Sequence, residues 1–517
     1  MRVLELRLSR IAGIALGMSL LGSSYSWAED PRPAAEPSNP EPRALSIEPN
    51  QRQVSLHGRR STRQLLASAS FADGKLADWT RAVEWVSTQP TIANVTPKGQ
   101  VIPVANGTAV IVARWRSLEA ETSVTVTGCD QDVPVSFHFD VIPALSQAGC
   151  NMGACHGTPT GKGGFRLSLR GYLPDQDYLT LTRETGMRRI DTMAAETSMI
   201  LRKPLGELPH EGGVRLRRES KPHEALRDWI ATGAKPDATP GQAVKLEILP
   251  GHRVLNAPAK TQQVAVLVTF ADGKTRDVTP LAYYSSSSPE IAEVDEAGFV
   301  SFKMRGEAAI IAHYLDLVAI VRLTHLVEVP GFRAAAIPTD NPIDAAVYAK
   351  LNRMRIAPSE LSTDREFIRR VYLDTIGVLP RPEETQAFVN DPAKNKRDQL
   401  IDRLLQRDEL LDFWTLKFAD VLRSNSRLIQ SKGTYLFHRW IRTRLESDVP
   451  LDEMVRDLIT ADGSTFQNPA ANYYRISRDP ESSVETTAQL FLGVRIQCAK
   501  CHNHPFERWT QDDYYGF

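Results

Sequence analysis

The sequence has few cysteines, no excess of either charge, and no long apolar run beyond its first residues. Five cysteines in 517 residues exclude a disulfide-dense scaffold. Lys plus Arg and Asp plus Glu each number 62, so the basic excess typical of nucleic-acid-binding proteins is missing. Aromatic residues make up 7% and charged residues 24%, ordinary values that argue against wholesale disorder. A chain of this length predicts several domains.

The first 28 residues have the pattern of a secretory signal peptide. Three arginines among the first ten residues precede an apolar run, Ile11 to Leu21, and small residues surround a cleavage point at Ala28. The run is shorter than the ~20 apolar residues needed to span a bilayer. We therefore predict a signal peptide over 1–28, a proline-rich linker over 29–43, and export to the periplasm or cell surface with no transmembrane span after signal removal.

A gapless internal repeat flanks the middle of the chain. Phe71–Lys75 recurs as Phe270–Lys274, 199 residues later, and the same offset relates many further apolar positions. Each copy alternates apolar and polar residues in short runs separated by Asp-Gly turns, which predicts β-hairpins. We predict two antiparallel sandwiches of about seven strands, over residues 44–127 and 245–328.

The repeats also resemble a known family. Trp85-Val86-Ser87, Pro90, Ile92-Ala93 and Val95 of the first copy match the pattern of bacterial Ig-like group 2 domains, and the second copy has Tyr284-Ser285-Ser286 in place of Trp-x-Ser. Such modules are mostly spacers or adhesion units. The resemblance implies polysaccharide or cell-surface contact and no catalytic site.

The first candidate for chemistry is a Cys-x4-Cys-His string between the repeats. Two thiols followed by a histidine suit covalent haem attachment, with thioethers at Cys150 and Cys155 and iron ligation by His156. Five positions would rotate the second thiol by about 140° on a helix, so we expect a loop, which the glycines of the segment permit. A Cys150–Cys155 disulfide and a metal site are the alternatives.

The residues after this string resemble the planctomycete-type cytochrome c domain. Ser198–Pro204, Pro209–Gly213 and Leu226–Ala234 follow the order of its "S-x-L-x-K" string, ligand loop and final helix. Where the family usually offers a methionine, this chain has His210. The resemblance implies a small helical domain in which His156 and His210 both bind haem iron, at a lower potential than a methionine would give.

From about Asn341 onward the apolar period changes from 2 to 3.6, which predicts helices. One stripe runs from Phe367 to Ile376 and ends at Gly377. Three strings resemble the planctomycete exported domain of unknown function that accompanies such cytochrome modules: 364–380, 413–423 and 489–517. The resemblance brings no activity with it. The pattern reaches Phe517 without a stop signal, so we expect the family's sequence to continue further.

The second candidate for chemistry is the regular Cys-x2-Cys-His string in this C-terminal region. One interpretation is a second haem c held by Cys498 and Cys501, with His502 as the iron ligand. Another is zinc or non-haem iron bound by both thiols together with His502 and His504. Thiol redox chemistry is the third.

Together these patterns predict two all-β Ig-like sandwiches that flank a small α-helical cytochrome c-like domain and precede a mainly α domain. The predicted boundaries are 44–127, 128–240, 245–328 and 341–517. The leading function is an exported protein with one or two haem c groups that exchanges electrons with a redox partner. The alternative is a cell-surface structural or adhesion protein whose Cys-His motifs bind a non-haem metal or form disulfides. No catalytic residue is predicted, and the enzyme question is left open.

Overall fold

The structure, a computed structural model, describes residues 41–49, 53–131, 133–238, 241–504 and 507–517. The predicted signal peptide and linker residues 29–40 lie outside the described residues. Pro42–Phe517 form one compact unit. Within the described ranges, no helix combines the length and apolar character needed to cross a membrane.

The first β module is a sandwich of short strands. They are β1 Ala44–Glu48, β2 Gln53–His57, β3 Arg63–Gln64, β4 Leu66–Ser70, β5 Leu76–Asp78, β6 Glu84–Ser87, β7 Ala93–Val95, β8 Gln100–Pro103, β9 Gly107–Trp115 and β10 Leu118–Thr127. The sheets have the orders β1-β4-β5, β2-β10-β9-β6 and β3-β8-β7. Strand β2 alternates buried and exposed positions, so that Val54 and Leu56 enter the core with Trp85 and Ile111.

The second β module repeats this arrangement. Its strands are β11 Ala243–Leu249, β12 Arg253–Asn256, β13 Thr261–Gln263, β14 Ala265–Phe270, β15 Thr275–Asp277, β16 Tyr283–Ser286, β17 Ala292–Val294, β18 Phe299–Phe302, β19 Gly306–Tyr314 and β20 Leu317–Leu326. Its sheets have the orders β11-β14-β15, β12-β20-β19-β16 and β13-β18-β17, which match those of the first module position by position. The predicted duplication is therefore confirmed.

The prediction of about seven purely antiparallel strands is wrong. The described residues of each module form ten strands, and β2 pairs in parallel with β10 as β12 does with β20. The first strand of each module stops just before a proline, Pro49 or Pro250, and the next strand joins the other sheet. Proline has no N–H to donate to a ladder, so pairing is interrupted where the chain changes sheets.

A small helical domain lies between the modules in sequence. It contains α1 Ile142–Gln147, α2 Pro174–Thr182, α3 Met199–Arg202 and α4 Lys221–Ala231, preceded by a π-helical turn over Phe137–Val141. The fully buried Trp229 of α4 lies 5.1 Å from Phe137, ring centre to ring centre, and its indole N–H donates to the Lys235 carbonyl. The Tyr314 hydroxyl donates to the Phe139 carbonyl over 2.6 Å and ties this domain to the second β module.

The C-terminal region is helical, as predicted. Its helices are α5 Pro342–Arg353, α6 Asp364–Ile376, α7 Pro382–Asn390, α8 Lys396–Leu404, α9 Asp408–Val421, α10 Ser426–Glu446, α11 Leu451–Ile459, α12 Asn472–Ile476, α13 Pro480–Thr487 and α14 Gln511–Gly516. Helix α6 begins with a capping box between Thr363 and Glu366 and ends at Gly377, which has a φ of 72°. Its predicted stripe buries Ile368, Tyr372 and Ile376.

Candidate functional site

The first Cys-His string forms an irregular loop after α1. Gly149 adopts a φ of 77° and turns the chain out of the helix. The Cys155 N–H then donates to the Met152 carbonyl, and the His156 N–H donates to the Cys150 carbonyl over 2.9 Å. The expected departure from plain helix is confirmed, and the backbone closes into a tight turn between the two thiols.

The two thiols of this loop differ in exposure. Cys150 is buried beneath the turn, while Cys155 is half-buried. Burial raises the pKa of the Cys150 thiol to about 12, and the neighbouring Cys155 adds to the rise. All five cysteines of the chain are free thiols, so the structure does not contain the Cys150–Cys155 disulfide that was one alternative.

The structure brings the two predicted histidine ligands together. The ring centroids of His156 and His210 are 6.4 Å apart, and the ring planes differ by 16°. His210 is carried by the loop before α4, 54 positions beyond His156 in the sequence. The pairing of these two rings is therefore a product of the tertiary fold.

Backbone carbonyls orient both rings in the same way. Nδ1 of His156 lies 2.9 Å from the Phe165 carbonyl oxygen, and Nδ1 of His210 lies 2.7 Å from that of Gly213. A carbonyl oxygen only accepts, so in each neutral ring Nδ1 carries the proton and Nε2 keeps its lone pair. A metal-binding histidine usually has this arrangement, in which a backbone or carboxylate acceptor fixes the tautomer.

The surroundings of His156 lower the pKa of its ring. Burial is the main cause, and the nearby His210 and Arg189 act in the same direction, although backbone hydrogen bonds at Phe165 and Lys162 oppose the shift. The Arg189 guanidinium lies 4.7 Å from the centre of the Phe165 ring, which itself packs against His156 at 4.5 Å. Since only neutral imidazole binds a metal, these contacts favour the ligating form.

The first Cys-His string and its paired histidine supply the donor types that a c-type haem uses, two thiols and two imidazoles. The rings of His156 and His210 are near-parallel, with centroids 6.4 Å apart. The described residues contain no group of three or more His, Cys, Asp or Glu side chains arranged for a metal ion.

The second Cys-His string lies at the surface of the C-terminal region. Cys498 and Cys501 are exposed at either end of a short 3-10 turn, and the buried Ala499 between them packs with Ile496 and Tyr514. The ring of His502 lies 6.4 Å from that of Tyr172, so this string approaches the small helical domain. That approach was not predicted, because nothing in the local sequence of either segment signals it.

The two histidines of the second string use different ring nitrogens. Nδ1 of His502 lies 2.6 Å from the Asn503 carbonyl, which leaves its Nε2 as an acceptor. Nε2 of His504 lies 2.9 Å from the Arg495 carbonyl and therefore carries the proton in a neutral ring. His504 is held by that carbonyl, so the predicted four-ligand set at this string is not assembled among the described residues.

Sequence reasoning overlooked the carbonyl groups that set these tautomers. The Phe165 and Gly213 carbonyls reach the histidines only because the backbone folds around them, and no side-chain pattern records this. Leu490 and Phe491 precede Cys498 in the sequence. They contact the core of α10 and α12, where the Phe491 ring centre lies 6.4 Å from that of Tyr473.

Comparison with known proteins identifies the C-terminal region. Residues 342–517, roughly a third of the chain, match the family described as "PSCyt2: Protein of unknown function (DUF1549)". This match confirms the predicted C-terminal domain of unknown function and assigns it no activity.

Similarity elsewhere is local or distant. Ice-binding protein 1 of Shewanella frigidimarina (strain NCIMB 400) is 34% identical over 68 residues, which cover 13% of this chain and 8% of that protein. Domains 5-6 of the S-layer protein SbsC cover 56% of this chain and 99% of their own, at 11% identity and a TM-score of 0.23. Human protocadherin-24 EC1-2 covers 56% and 100%, at 10% identity and a TM-score of 0.13.

Proposed function

We propose that the protein is an exported c-type haem protein with an electron-transfer or redox role. The small helical domain would hold haem through thioethers at Cys150 and Cys155, with His156 and His210 as the iron ligands. The observation that carries the proposal is the pair of near-parallel imidazoles 6.4 Å apart. Haem iron supplies reversible one-electron chemistry when bound.

The chain's own residues position the two ligands. The carbonyls of Phe165 and Gly213 accept from the Nδ1–H groups and leave both Nε2 lone pairs unused by these bonds. Phe165 packs against the His156 ring, and Arg189 lies over the Phe165 ring. A histidine in place of methionine lowers the reduction potential, because a thioether favours the reduced iron.

The second Cys-His string is the place for a second haem in this proposal. Cys498 and Cys501 are accessible for thioether formation, and His502 keeps Nε2 free for a metal. Its contact with Tyr172 puts this string beside the domain that holds the first site. Two redox groups in one chain would then lie on neighbouring surfaces.

A second candidate is a structural or adhesion protein of the cell surface. It is favoured by the hydrogen bonds between the two β modules, in which the Asp78 carboxylate accepts from the Gln263 N–H and the Asp277 carboxylate accepts from the Gln64 N–H. Such bonds join the two modules directly, which suits a spacer. In this case the Cys-His strings would carry no haem.

Covalent haem is the test that separates the two candidates. The chain is expressed for export alongside c-type maturation machinery, run on a denaturing gel and stained for haem peroxidase activity. We expect haem that migrates with the protein and a sharp α-band on reduction. Protein that folds without covalent haem would contradict the haem proposal and leave the adhesion role.

Cysteine variants locate the attachment site. Cys155→Ala should remove the haem of the first string and Cys501→Ala that of the second, each measured as haem per chain. Cys129→Ala is the matched control, since Cys129 is a buried free thiol of the first β module outside both strings. Equal haem content in all three variants would contradict the assignment.

A further inference from the structure

A cavity of about 670 Å³ lies between the first β module, the second β module and the start of the helical domain. Its walls are the turn over residues 57–63, the hairpin over 270–277, and residues near Pro134 and Asp140. A volume of this size is typical of sites for small molecules. None of its lining residues belongs to either Cys-His string, and the cavity plays no part in the proposed haem role.

The lining of this cavity is rich in cationic side chains. The described lining residues include five Lys or Arg side chains and three Asp side chains. Arg276 is paired with Asp140, and Lys274 lies 2.8 Å from Asp272 on an exposed turn. Nε of Arg59 donates to the backbone carbonyl of Cys129. Because a carbonyl carries no net charge, this contact does not neutralise the guanidinium of Arg59.

Arg63 is the buried member of this set. Its side chain is 5% exposed, and its Nε has no hydrogen-bond partner among the described residues. Desolvation lowers its pKa, although the Asp277 carboxylate opposes the shift. Both oxygens of that carboxylate already accept backbone N–H groups, from Gln64 and Thr279. A buried cation is costly unless acceptors complete its hydrogen bonds.

The duplicated fold provides an internal comparison. The equivalent groove lies between the Asp73–Leu76 turn and residues 250–256. Its buried guanidinium, Arg253, donates to Glu48 over 2.5 Å and to the Ser68 hydroxyl over 2.7 Å. The position equivalent to Arg63 is Gln262 in the second module. Among the described residues, the buried guanidinium of the first groove therefore lacks the carboxylate hydrogen bond that Arg253 makes in the second.

We propose that this cavity binds the oxyanion of a small ligand, with the guanidinium of Arg63 at its base and Lys274 at its mouth. Guanidinium groups recognise carboxylate, sulfate and phosphate oxygens through paired N–H donors. The ligand is either a free inorganic oxyanion or the acidic group of a sugar unit, which both offer the same oxygens. The cavity has room for a monosaccharide or disaccharide.

Calorimetric titration of the whole chain tests this site. The probes are sodium sulfate, sodium phosphate and a disaccharide that carries one glucuronate, each at matched ionic strength with sodium chloride as the reference. We expect saturable binding of one molecule per chain. Tighter binding of sulfate or phosphate would identify a free oxyanion, and tighter binding of the disaccharide an acidic glycan. No saturable binding by any probe would overturn the proposal.

Matched variants show whether the binding occurs in this cavity. Lys274→Gln should weaken binding about tenfold, whereas Lys75→Gln, the same Asp-Gly-Lys turn position in the first module, should leave it unchanged. Arg63→Met should abolish binding. If Arg63→Met does not fold, Lys274→Gln by itself is the test of the site. Equal affinity in wild type and Lys274→Gln would overturn the proposal.

Discussion

Asp277 accepts a hydrogen bond from the backbone N–H of Gln64 over 2.5 Å, although 213 residues separate them. The repeat supplies the mirror contact, in which Asp78 accepts from the Gln263 N–H over 2.7 Å. The two modules therefore meet through the same surface on each side, as in an isologous dimer, but within one chain. This pseudo-twofold contact brings together the two walls of the cationic cavity.

Asp277→Ala should loosen the contact between the β modules. The Gln64 N–H would lose its carboxylate acceptor in a buried position, which costs about 2 kcal/mol. That cost corresponds to roughly thirtyfold faster hydrogen exchange at this amide, measured by mass spectrometry on peptides that contain Gln64. Glu121→Ala, an exposed acidic position on β10, is the control and should leave exchange there unchanged. Unchanged protection at Gln64 in Asp277→Ala would show that the carboxylate does not hold the interface.

Gly377→Ala should destabilise the helical C-terminal region. Gly377 has a φ of 72°, and a Cβ there would lie 2.2 Å from Cδ2 of Phe413. We expect a loss of about 3 kcal/mol, which combines backbone strain with the steric conflict. The measurement is the midpoint of urea unfolding, monitored by the circular dichroism signal of the helices.

Gly463→Ala is the matched control for this substitution. Gly463 has a φ of 77° with nothing within 4 Å of its Cβ position, so only the backbone strain of about 1 kcal/mol applies. The difference between the variants isolates the contact with Phe413. Equal losses would show that the ring moves aside without cost.

Asp177 should make the helical domain less stable as the pH rises from 4 to 6. Desolvation raises the pKa of this buried carboxyl to about 6, although the Ser168 N–H and hydroxyl both donate to it. Because the folded state retains the proton to a higher pH than the unfolded state, the stabilisation is complete below about pH 4. It is lost as the pH passes through 6, by about 3 kcal/mol.

Asp177→Asn should remove this part of the pH dependence. The amide oxygen still accepts from the Ser168 N–H, and the variant does not titrate. Hydrogen exchange in α4 at pH 4.5 and 6.5 is the measurement, with wild type and variant compared at each pH. Parallel profiles for the two proteins would mean that Asp177 has an ordinary pKa.

The sequence predicted those features that are local or periodic. The 199-residue offset located corresponding strands in both modules, and the stripe from Phe367 to Ile376 located α6 with its end at Gly377. The contact between Asp78 and Gln263 could not be predicted, because a turn aspartate has the same local pattern whether it is exposed or buried against a second module. The same limit applies to Arg63, whose burial depends on three segments that are distant in sequence.

The candidate site likewise has parts that the sequence predicted and parts that only the fold reveals. The resemblance to the planctomycete-type cytochrome c domain implied His210 as a second ligand, and the fold places its ring 6.4 Å from that of His156. The carbonyls that orient them come from Phe165 and Gly213, whose side chains carry no signal for this role. Backbone acceptors are supplied by any residue, so only the three-dimensional path of the chain identifies them.

His210→Met should raise the reduction potential of the proposed first haem while covalent attachment is retained. A thioether ligand favours the reduced iron relative to imidazole, so the midpoint in a spectroscopic redox titration should move upward. His138→Gln is the control, because His138 lies in the same domain but packs its ring against Phe139, away from the imidazole pair. An unchanged midpoint in His210→Met, with haem still attached, would exclude His210 as the iron ligand.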